Sequence, residues 1–154
     1  VKCAGTCDKA KSKYKYAGNE DCVSAMSVPG GGPKACSFGC TGFGICVKVC
    51  DFDAIHVING VAVVDKEKCV VATCPKSLIE LVPYAAPHKV QCNSKEFGKA
   101  VKEVCSAGCI GCKMCTRVCE ADAITVENNI AKIDYSKCTG CGKCAEKCPA
   151  KIIL

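Results

Sequence analysis

Bulky aromatic side chains are scarce in this 154-residue chain, which has four Phe, four Tyr and no Trp. Such side chains usually fill a large part of a protein core. The chain also lacks any apolar run that approaches the ~20 residues needed to cross a bilayer, so we expect it to be soluble. Because bulky side chains are scarce, we expect metal centres to supply much of the cohesion of the fold, as structural metals do in other small domains.

Cysteine is abundant instead, with 19 copies. This number is odd and no signal peptide is recognisable, which disfavours a disulfide-stapled secreted domain. Zinc ribbons use paired Cys-x2-Cys knuckles, but a third cysteine at the same spacing exceeds what a tetrahedral zinc site needs. The spacing of the cysteines therefore has to be explained by another kind of site.

Eight cysteines near the C-terminus follow the spacing of a two-cluster bacterial ferredoxin. They read Cys109-x2-Cys112-x2-Cys115-x3-Cys119 and Cys138-x2-Cys141-x2-Cys144-x3-Cys148-Pro149. In such a run three thiolates hold one Fe–S cube and the fourth ligates the neighbouring cube. The spacing predicts two [4Fe-4S] sites, one formed by Cys109, Cys112, Cys115 and Cys148 and the other by Cys119, Cys138, Cys141 and Cys144.

The chain contains an internal repeat. An offset of 69 residues places five cysteines on five others, namely Cys36, Cys40, Cys46, Cys50 and Cys69 on Cys105, Cys109, Cys115, Cys119 and Cys138. In both copies the cluster loop leads into a predicted hairpin, with turns at Asn59-Gly60 and Asn128-Asn129 that suit positive φ. Alternating apolar residues predict short strands at Ile55, Val57, Val61 and Val63, and at Ile124, Val126 and Ile130, with Lys132 exposed or at an edge.

These patterns predict an α+β fold of tandem ferredoxin-like Fe–S modules with short β-hairpins and short helices. We place an N-terminal Cys-containing segment at 1–35 and a first, degenerate two-cluster module at 36–83. A connector follows at 84–104, and the second two-cluster module spans 105–154.

The first module departs from the second at one ligand position, because Phe43 stands where the second module has Cys112. A cluster site built from Cys40, Cys46 and Cys74 therefore needs a substitute ligand, and Cys36 is the nearest candidate. However, the repeat also has a cysteine at the corresponding place in the second module, which already has its full set. The extra cysteine of each copy is thus open to a second interpretation, as a ligand of a different cluster.

A second departure is a shortened interval between Cys69 and Cys74, where five residues present between Cys138 and Cys148 have no counterpart. The alignment of the two copies recovers at once after Cys74. A natural deletion would destroy one cluster site while keeping every flanking residue, so we expect the sequence to omit residues that the native protein has. Cys50, Cys69 and two absent cysteines would then form one further site.

The remaining cysteines fit no ferredoxin loop. Cys3, Cys7 and Cys22 are one short of a ligand set, which Cys36 would complete in competition with its role beside Cys40. Cys92 and Cys105 are either part of an additional ligand set or buried as small hydrophobic residues, and we favour the second interpretation.

The formal net charge of +6 counts every cysteine as neutral. A cube with four thiolates carries roughly two negative charges when oxidised, so four clusters would add about −8. The loaded protein is then near neutral or mildly acidic, and we expect no nucleic-acid partner.

The order of cysteines and glycines along the whole chain is more specific than the ferredoxin loops. It reads Cys3-x3-Cys7, Tyr16-x-Gly18-x2-Asp21-Cys22, Gly32-Pro33-Lys34-Ala35-Cys36-x3-Cys40-x-Gly42-x-Gly44-x-Cys46-Val47-x-Val49-Cys50 and Cys105-x3-Cys109-Ile110-Gly111-Cys112. This order resembles the RnfB family, the polyferredoxin component of the Rnf complex, in its long, clostridial-type form. The departures are the segment missing after Cys69, and Asp51 and Glu120 where ferredoxins usually have proline.

The resemblance implies an electron-transfer subunit with three to five [4Fe-4S] clusters. The family's complex is a membrane-bound ferredoxin:NAD oxidoreductase that couples electron transfer to translocation of Na⁺ or H⁺. By this resemblance the chain accepts electrons from reduced ferredoxin on the cytoplasmic side of the cell membrane and passes them towards flavin and NAD subunits, without bond chemistry of its own. Membrane association is expected through a preceding N-terminal segment or through partner subunits. The alternative is a free-standing polyferredoxin that carries electrons by diffusion.

Overall fold

The computed structural model describes residues 1–69 and 73–154 and shows a small α+β fold with two similar halves. The elements of the first half are α1 (Cys22–Ser27), α2 (Ile45–Lys48), β1 (Ile55–Ile58) and β2 (Val61–Val64). They are followed by α3 (Gly98–Val104), α4 (Met114–Arg117), β3 (Ile124–Glu127), β4 (Ile130–Ile133) and α5 (Lys143–Glu146). The predicted fold class, with short helices and two antiparallel hairpins, is confirmed.

Each hairpin closes through the two-residue turn that the sequence predicted. β1 pairs with β2 and β3 pairs with β4, both antiparallel and with the same register. Asn59 and Gly60 have φ values of 48° and 75°, and Asn128 and Asn129 have 49° and 63°. Asn and Gly adopt this left-handed region at low cost, and two such residues in succession match the twist of the flanking strands.

The predicted inward residues are correct for the first strand of each hairpin and partly correct for the second, where Val61 and Ile130 are buried but Val63 is exposed. Ile55 lies opposite Val64, and Val57 lies opposite Ala62. Residues directly opposite one another share a face, so the inward residues of β2 are Ala62 and Val64, while Val63 is 45% exposed. A two-residue turn shifts the inward positions from odd to even numbers, which the simple alternation of the prediction did not take into account.

The second hairpin shows the same shift. Ile133 lies opposite Ile124, and Ala131 lies opposite Val126. Lys132 points to the exposed face, as the prediction required, and its Nζ forms an ion pair with Glu127 at 2.7 Å.

The core is assembled from small side chains and cysteines. One cluster of buried residues combines Cys46 with Ala54, Ile55 and Ala62. The larger cluster contains Ile124, Ile130, Ile152 and Ile153 together with five buried cysteines. The largest fully buried side chains are Ile55, Leu78, Ile152 and Val101, so no aromatic ring is among them.

The N-terminal segment contacts both halves of the molecule. The backbone N–H groups of Lys2 and Cys7 donate to the carbonyl oxygens of Leu78 and Asn59 in the first half, at 2.8 and 3.0 Å. Further along, Ala10 forms an isolated β-bridge with Cys105 of the second half. The predicted boundaries at 35, 83 and 104 stay predictions. Within the described ranges, no helix combines the length and apolar character that crossing a membrane would require.

Candidate iron–sulfur sites

The four cysteines of the first predicted site surround one cavity, which we call the C-terminal cavity. They are Cys109, Cys112, Cys115 and Cys148, and the space between them is about 360 Å³ when its open mouth is included. Short helix α4 carries Cys115, and the loop before it turns through positive φ at Gly111 and Lys113. The Sγ atoms of the loop thus point into a common space, as a Cys-x2-Cys-x2-Cys ligand loop requires.

The four cysteines of the second predicted site lie on the elements that pack beside this cavity. Helix α5 carries the buried Cys144 and contacts α4, which Cys119 follows. Burial raises the pKa of the Cys144 thiol, and the neighbouring Cys138 and Cys141 raise that pKa further. The backbone N–H of Ala123 donates to Sγ of Cys119 at 3.3 Å, a hydrogen bond of the kind that tunes cluster potentials. Cluster binding by these four residues remains a prediction.

A second cavity, the first-module cavity, lies in the first half and is also lined by four cysteines. They are Cys22, Cys40, Cys46 and Cys74, and the space is about 390 Å³ with its open mouth. The structure therefore brings Cys40, Cys46 and Cys74 together as predicted, but the fourth thiol is Cys22 and not Cys36. Cys36 lines a different cavity.

The local sequence explains why Cys22 takes this place. Asp21 caps the N-terminus of α1, because its carboxylate accepts hydrogen bonds from the backbone N–H groups of Val23 and Ser24 at 2.9 and 3.0 Å. Cys22 is the first residue of that helix and is buried. Phe43, which replaces the expected loop cysteine, packs on Tyr16 with 5.1 Å between ring centroids. The N-terminal segment thus supplies both a partner for Phe43 and the missing thiol.

A third cavity, the central cavity, is lined by Cys3, Cys36, Cys92 and Cys105 and has a space of about 380 Å³ with its open mouth. Cys92 and Cys105 are buried, as the preferred interpretation of the sequence expected. Burial raises the pKa of the Cys92 thiol to about 11, and burial together with Cys109 and Cys112 raises the pKa of Cys115 in the C-terminal cavity to about 11. Iron binds thiolates, so the charge of the metal would have to stabilise the deprotonated form at both sites.

The remaining predicted ligands are not gathered into these three cavities. Cys7 is exposed and lines none of them. Cys50 and Cys69 pack against the buried cluster that contains Cys46 and Ile55. The predicted omission between Cys69 and Cys74 falls on residues 70–72, which lie outside the described residues.

The geometry of the cavities suits a cluster better than one metal ion. Among the residues that the structure describes, no three Cys, His, Asp or Glu side chains lie close enough together to hold a single metal ion. A tetrahedral zinc site needs its sulfur atoms within about 2.3 Å of one centre, and no cysteine set among the described residues is arranged in this way. The residues present therefore fit a bulky iron–sulfur core held by four thiolates.

A partly buried lysine lies beside two of the cavities. Lys76 lines the first-module cavity, and its Nζ donates to the carbonyl oxygens of Ser37 and Gly39 at 2.9 and 3.0 Å. Gly39 lines the central cavity, so the ammonium lies between the two spaces. The lysine that directly precedes Cys148 of the C-terminal site, Lys147, is exposed.

Replacing Lys76 with methionine is expected to lower the reduction potential of a cluster in the first-module cavity. The ammonium favours the reduced cluster, which is the more negative state, so its loss should shift that potential down on the order of tens of mV. Protein-film voltammetry or an EPR-monitored titration measures the shift. The matched control is Lys147→Met, whose solvent-exposed charge is screened and should change potentials less. Equal shifts in both variants would contradict this role of Lys76.

Comparison with known proteins agrees with the cysteine geometry. Residues 108–152 match the family model of the 4Fe-4S dicluster domain. The chain is 46% identical, over 99% of its length, to the RnfB-type subunit of the Na(+)-translocating ferredoxin:NAD(+) oxidoreductase complex of Acetobacterium woodii. It is 44% identical to the corresponding subunit of the proton-translocating ferredoxin:NAD(+) oxidoreductase complex of Clostridium ljungdahlii, and 39% identical to that of the ion-translocating oxidoreductase complex of Methanosarcina acetivorans, each over 99% of the chain.

The chain spans 47%, 56% and 60% of the length of these three relatives. The alignments extend over 159 to 161 positions, whereas the chain has 154 residues, so at least five aligned positions of each relative have no counterpart here. The expected omission between Cys69 and Cys74 stays a prediction. The chain is thus a relative, over nearly its whole length, of the RnfB subunits of ion-translocating ferredoxin:NAD(+) oxidoreductase complexes, as its cysteine order predicted.

Proposed function

We propose that this chain is the polyferredoxin part of an Rnf-type complex, where it relays electrons through [4Fe-4S] clusters. The observation that carries the proposal is the convergence of four cysteines on each of two cavities, one in each half of the repeat. Each half thereby offers the ligand set of a cube, and the matched 4Fe-4S dicluster domain covers both predicted sites of the second half. The names of the three relatives supply the oxidoreductase context.

The chain's own residues perform three tasks in this function. Cysteine thiolates would hold the clusters, which supply one-electron chemistry when bound. Backbone N–H groups such as that of Ala123 stabilise negative charge on the ligating sulfur atoms. Apolar side chains of the hairpins line the cavities beside the cysteines and would limit the access of water, with Val57 and Ala62 in the first half and Val126 and Ala131 in the second.

The proposed partners are those that the resemblance to the RnfB family implies. Reduced ferredoxin is the proposed electron donor, and the flavin and NAD subunits of the complex are the proposed acceptors. The proposed location is the cytoplasmic side of the cell membrane, with attachment through partner subunits or a preceding segment. Relatives named for Na(+) and for proton translocation align equally far along the chain, so both coupling ions remain compatible with it.

Mixing the anaerobically purified, oxidised chain with reduced ferredoxin tests this function. We expect the visible absorbance of the clusters to bleach within the stopped-flow time range, because both proteins are one-electron carriers of low potential. Reduction by dithionite without reduction by ferredoxin would contradict the proposed donor. Isolation of the protein from its source membranes with integral membrane partners distinguishes the Rnf-type function from the free-standing polyferredoxin, which the names of the relatives do not favour.

A further inference from the structure

We infer that Cys3, Cys36, Cys92 and Cys105 bind an additional [4Fe-4S] cluster in the central cavity, between the two halves of the molecule. These four residues are distant in sequence and belong to no ferredoxin loop. The structure nevertheless brings all four to the wall of one cavity. The proposed metal site is independent of the proposed electron-transfer function, while its use as a relay rests on that function.

The first argument is the likeness of this cavity to the other two. Each of the three cavities is bordered by four cysteines. A cysteine that serves only as a small hydrophobic residue packs against apolar side chains and gains nothing from facing other thiols. Four thiols on the wall of one cavity therefore point to ligands and not to core packing.

Two glycines keep that space open. A Cβ atom on Gly5 would lie 3.3 Å from Sγ of Cys105 and 3.7 Å from Sγ of Cys3. A Cβ atom on Gly39 would lie 3.5 Å from Sγ of both Cys3 and Cys36. The chain thus places residues without side chains directly against the proposed ligands.

Hydrogen bonds to the sulfur atoms provide a second argument. The backbone N–H of Cys40 donates to Sγ of Cys3 at 3.4 Å. Sγ of Cys92 accepts from the backbone N–H groups of Cys109 and Ser94, at 3.3 and 3.5 Å. Backbone N–H groups directed at cysteine sulfur stabilise thiolate charge, which is how proteins tune iron–sulfur ligands.

The charge around the central cavity is complementary to an anionic cluster. Lys34 lines the cavity, and its Nζ donates to the carbonyl oxygens of Gly5 and Gly60 at 2.9 and 2.6 Å. Lys76 donates to the carbonyl oxygens of Ser37 and of Gly39, and Gly39 also lines this cavity. In the ranges 1–69 and 73–154, neither lysine forms an ion pair with a carboxylate. Two partly buried positive charges would offset the roughly two negative charges of an oxidised cube with four thiolates.

The same hydrogen bonds place the central cavity between the other two. Cys40, a residue of the first-module cavity, contacts Cys3, and Cys109, a residue of the C-terminal cavity, contacts Cys92. A cluster here would accept one electron from a neighbouring cluster, which is thereby oxidised, and would return to its own oxidised state by reducing the neighbour on the other side. The two halves of the repeat would then form one continuous electron path.

Alanine variants of two ligands from opposite halves test the site. Cys3→Ala and Cys105→Ala are made in the full chain and purified anaerobically, and iron, acid-labile sulfide and zinc are counted per chain. We expect both to lose about four iron and four sulfide, or about one iron where a three-iron cluster persists with its own EPR signal. The same spectroscopic species should be lost in both variants. The matched control is Cys7→Ala, because Cys7 is exposed and lines none of the three cavities.

Unchanged iron, sulfide and EPR spectra in both variants would overturn the site, as would loss of zinc in place of iron. Loss of different species in the two variants would also overturn it, because the two residues could not then ligate one shared cluster. If Cys105→Ala does not fold, Cys3→Ala decides alone, since Cys3 lies in the N-terminal segment outside the helices and strands. Reduction by ferredoxin is a separate measurement, so failure of the site and failure of the proposed function are distinguishable.

Discussion

Replacing Cys22 with alanine is expected to remove one cluster from the first half of the molecule. Cys22 is the fourth thiol of the first-module cavity, where Phe43 stands in place of the usual loop cysteine. We expect the iron content to fall by about four per chain, or by about one if a three-iron form persists. Iron and sulfide analysis together with EPR spectra of the oxidised and reduced protein measure the loss.

The interpretation of Cys36 as the substitute ligand, one of the two that the sequence leaves open, predicts a different outcome, and two further variants separate the two. If Cys36 were the substitute ligand, Cys36→Ala would remove the first-module signal and Cys22→Ala would leave it intact. The structure predicts instead that Cys22→Ala and Cys36→Ala affect two different spectroscopic species, since the two residues line different cavities. Cys7→Ala should retain all clusters. A first-module signal that survives Cys22→Ala would contradict the arrangement of this cavity.

Restoring the shortened loop of the first module is expected to create a cluster site. Residues 70–73 are replaced by residues 139–147 of the second module, which supply the two cysteines missing between Cys69 and Cys74. Cys50 and Cys69 pack on the same buried cluster, so two added thiols at ferredoxin spacing should complete a ligand set. We expect a gain of about four iron and four sulfide per chain, with a new reducible EPR signal.

The matched control has the same inserted sequence with serine at both added cysteines. It has the same loop length but lacks the ligands, so its iron content should equal that of the starting chain. A gain of iron in the serine control would show that the loop acts through stability and not through ligation. No gain with the cysteine loop would contradict the predicted ligand role of Cys50 and Cys69.

Local sequence rules predicted those parts of the fold that depend on near neighbours. The hairpin turns at Asn59-Gly60 and Asn128-Asn129 followed from the preference of these residues for positive φ. The convergence of Cys109, Cys112 and Cys115 followed from their spacing, which is typical of a loop that holds one cluster. The inward position of Ala62 and the exposure of Val63 were missed because they depend on the cross-strand register and not on alternation within the strand.

The ligand sets that join distant segments could not be predicted in this way. Cys22 is the first residue of the capped helix α1, and it lines the same cavity as Cys40. No spacing rule connects the two residues. Cys3 and Cys92 meet across the central cavity because the N-terminal segment hydrogen-bonds to both halves. Cysteines outside the ferredoxin loops, such as Cys92 and Cys105, indicated that a further ligand set could exist. Their partners depend on tertiary contacts that a single sequence does not reveal.

The most direct test of the central claim is a count of metal and sulfide in the chain purified anaerobically. The cysteine geometry supports clusters in the C-terminal, first-module and central cavities, and the ferredoxin spacing predicts a fourth at Cys119, Cys138, Cys141 and Cys144. We predict about 16 iron and an equal amount of acid-labile sulfide per polypeptide, with negligible zinc. Zinc without sulfide would contradict the electron-transfer function altogether.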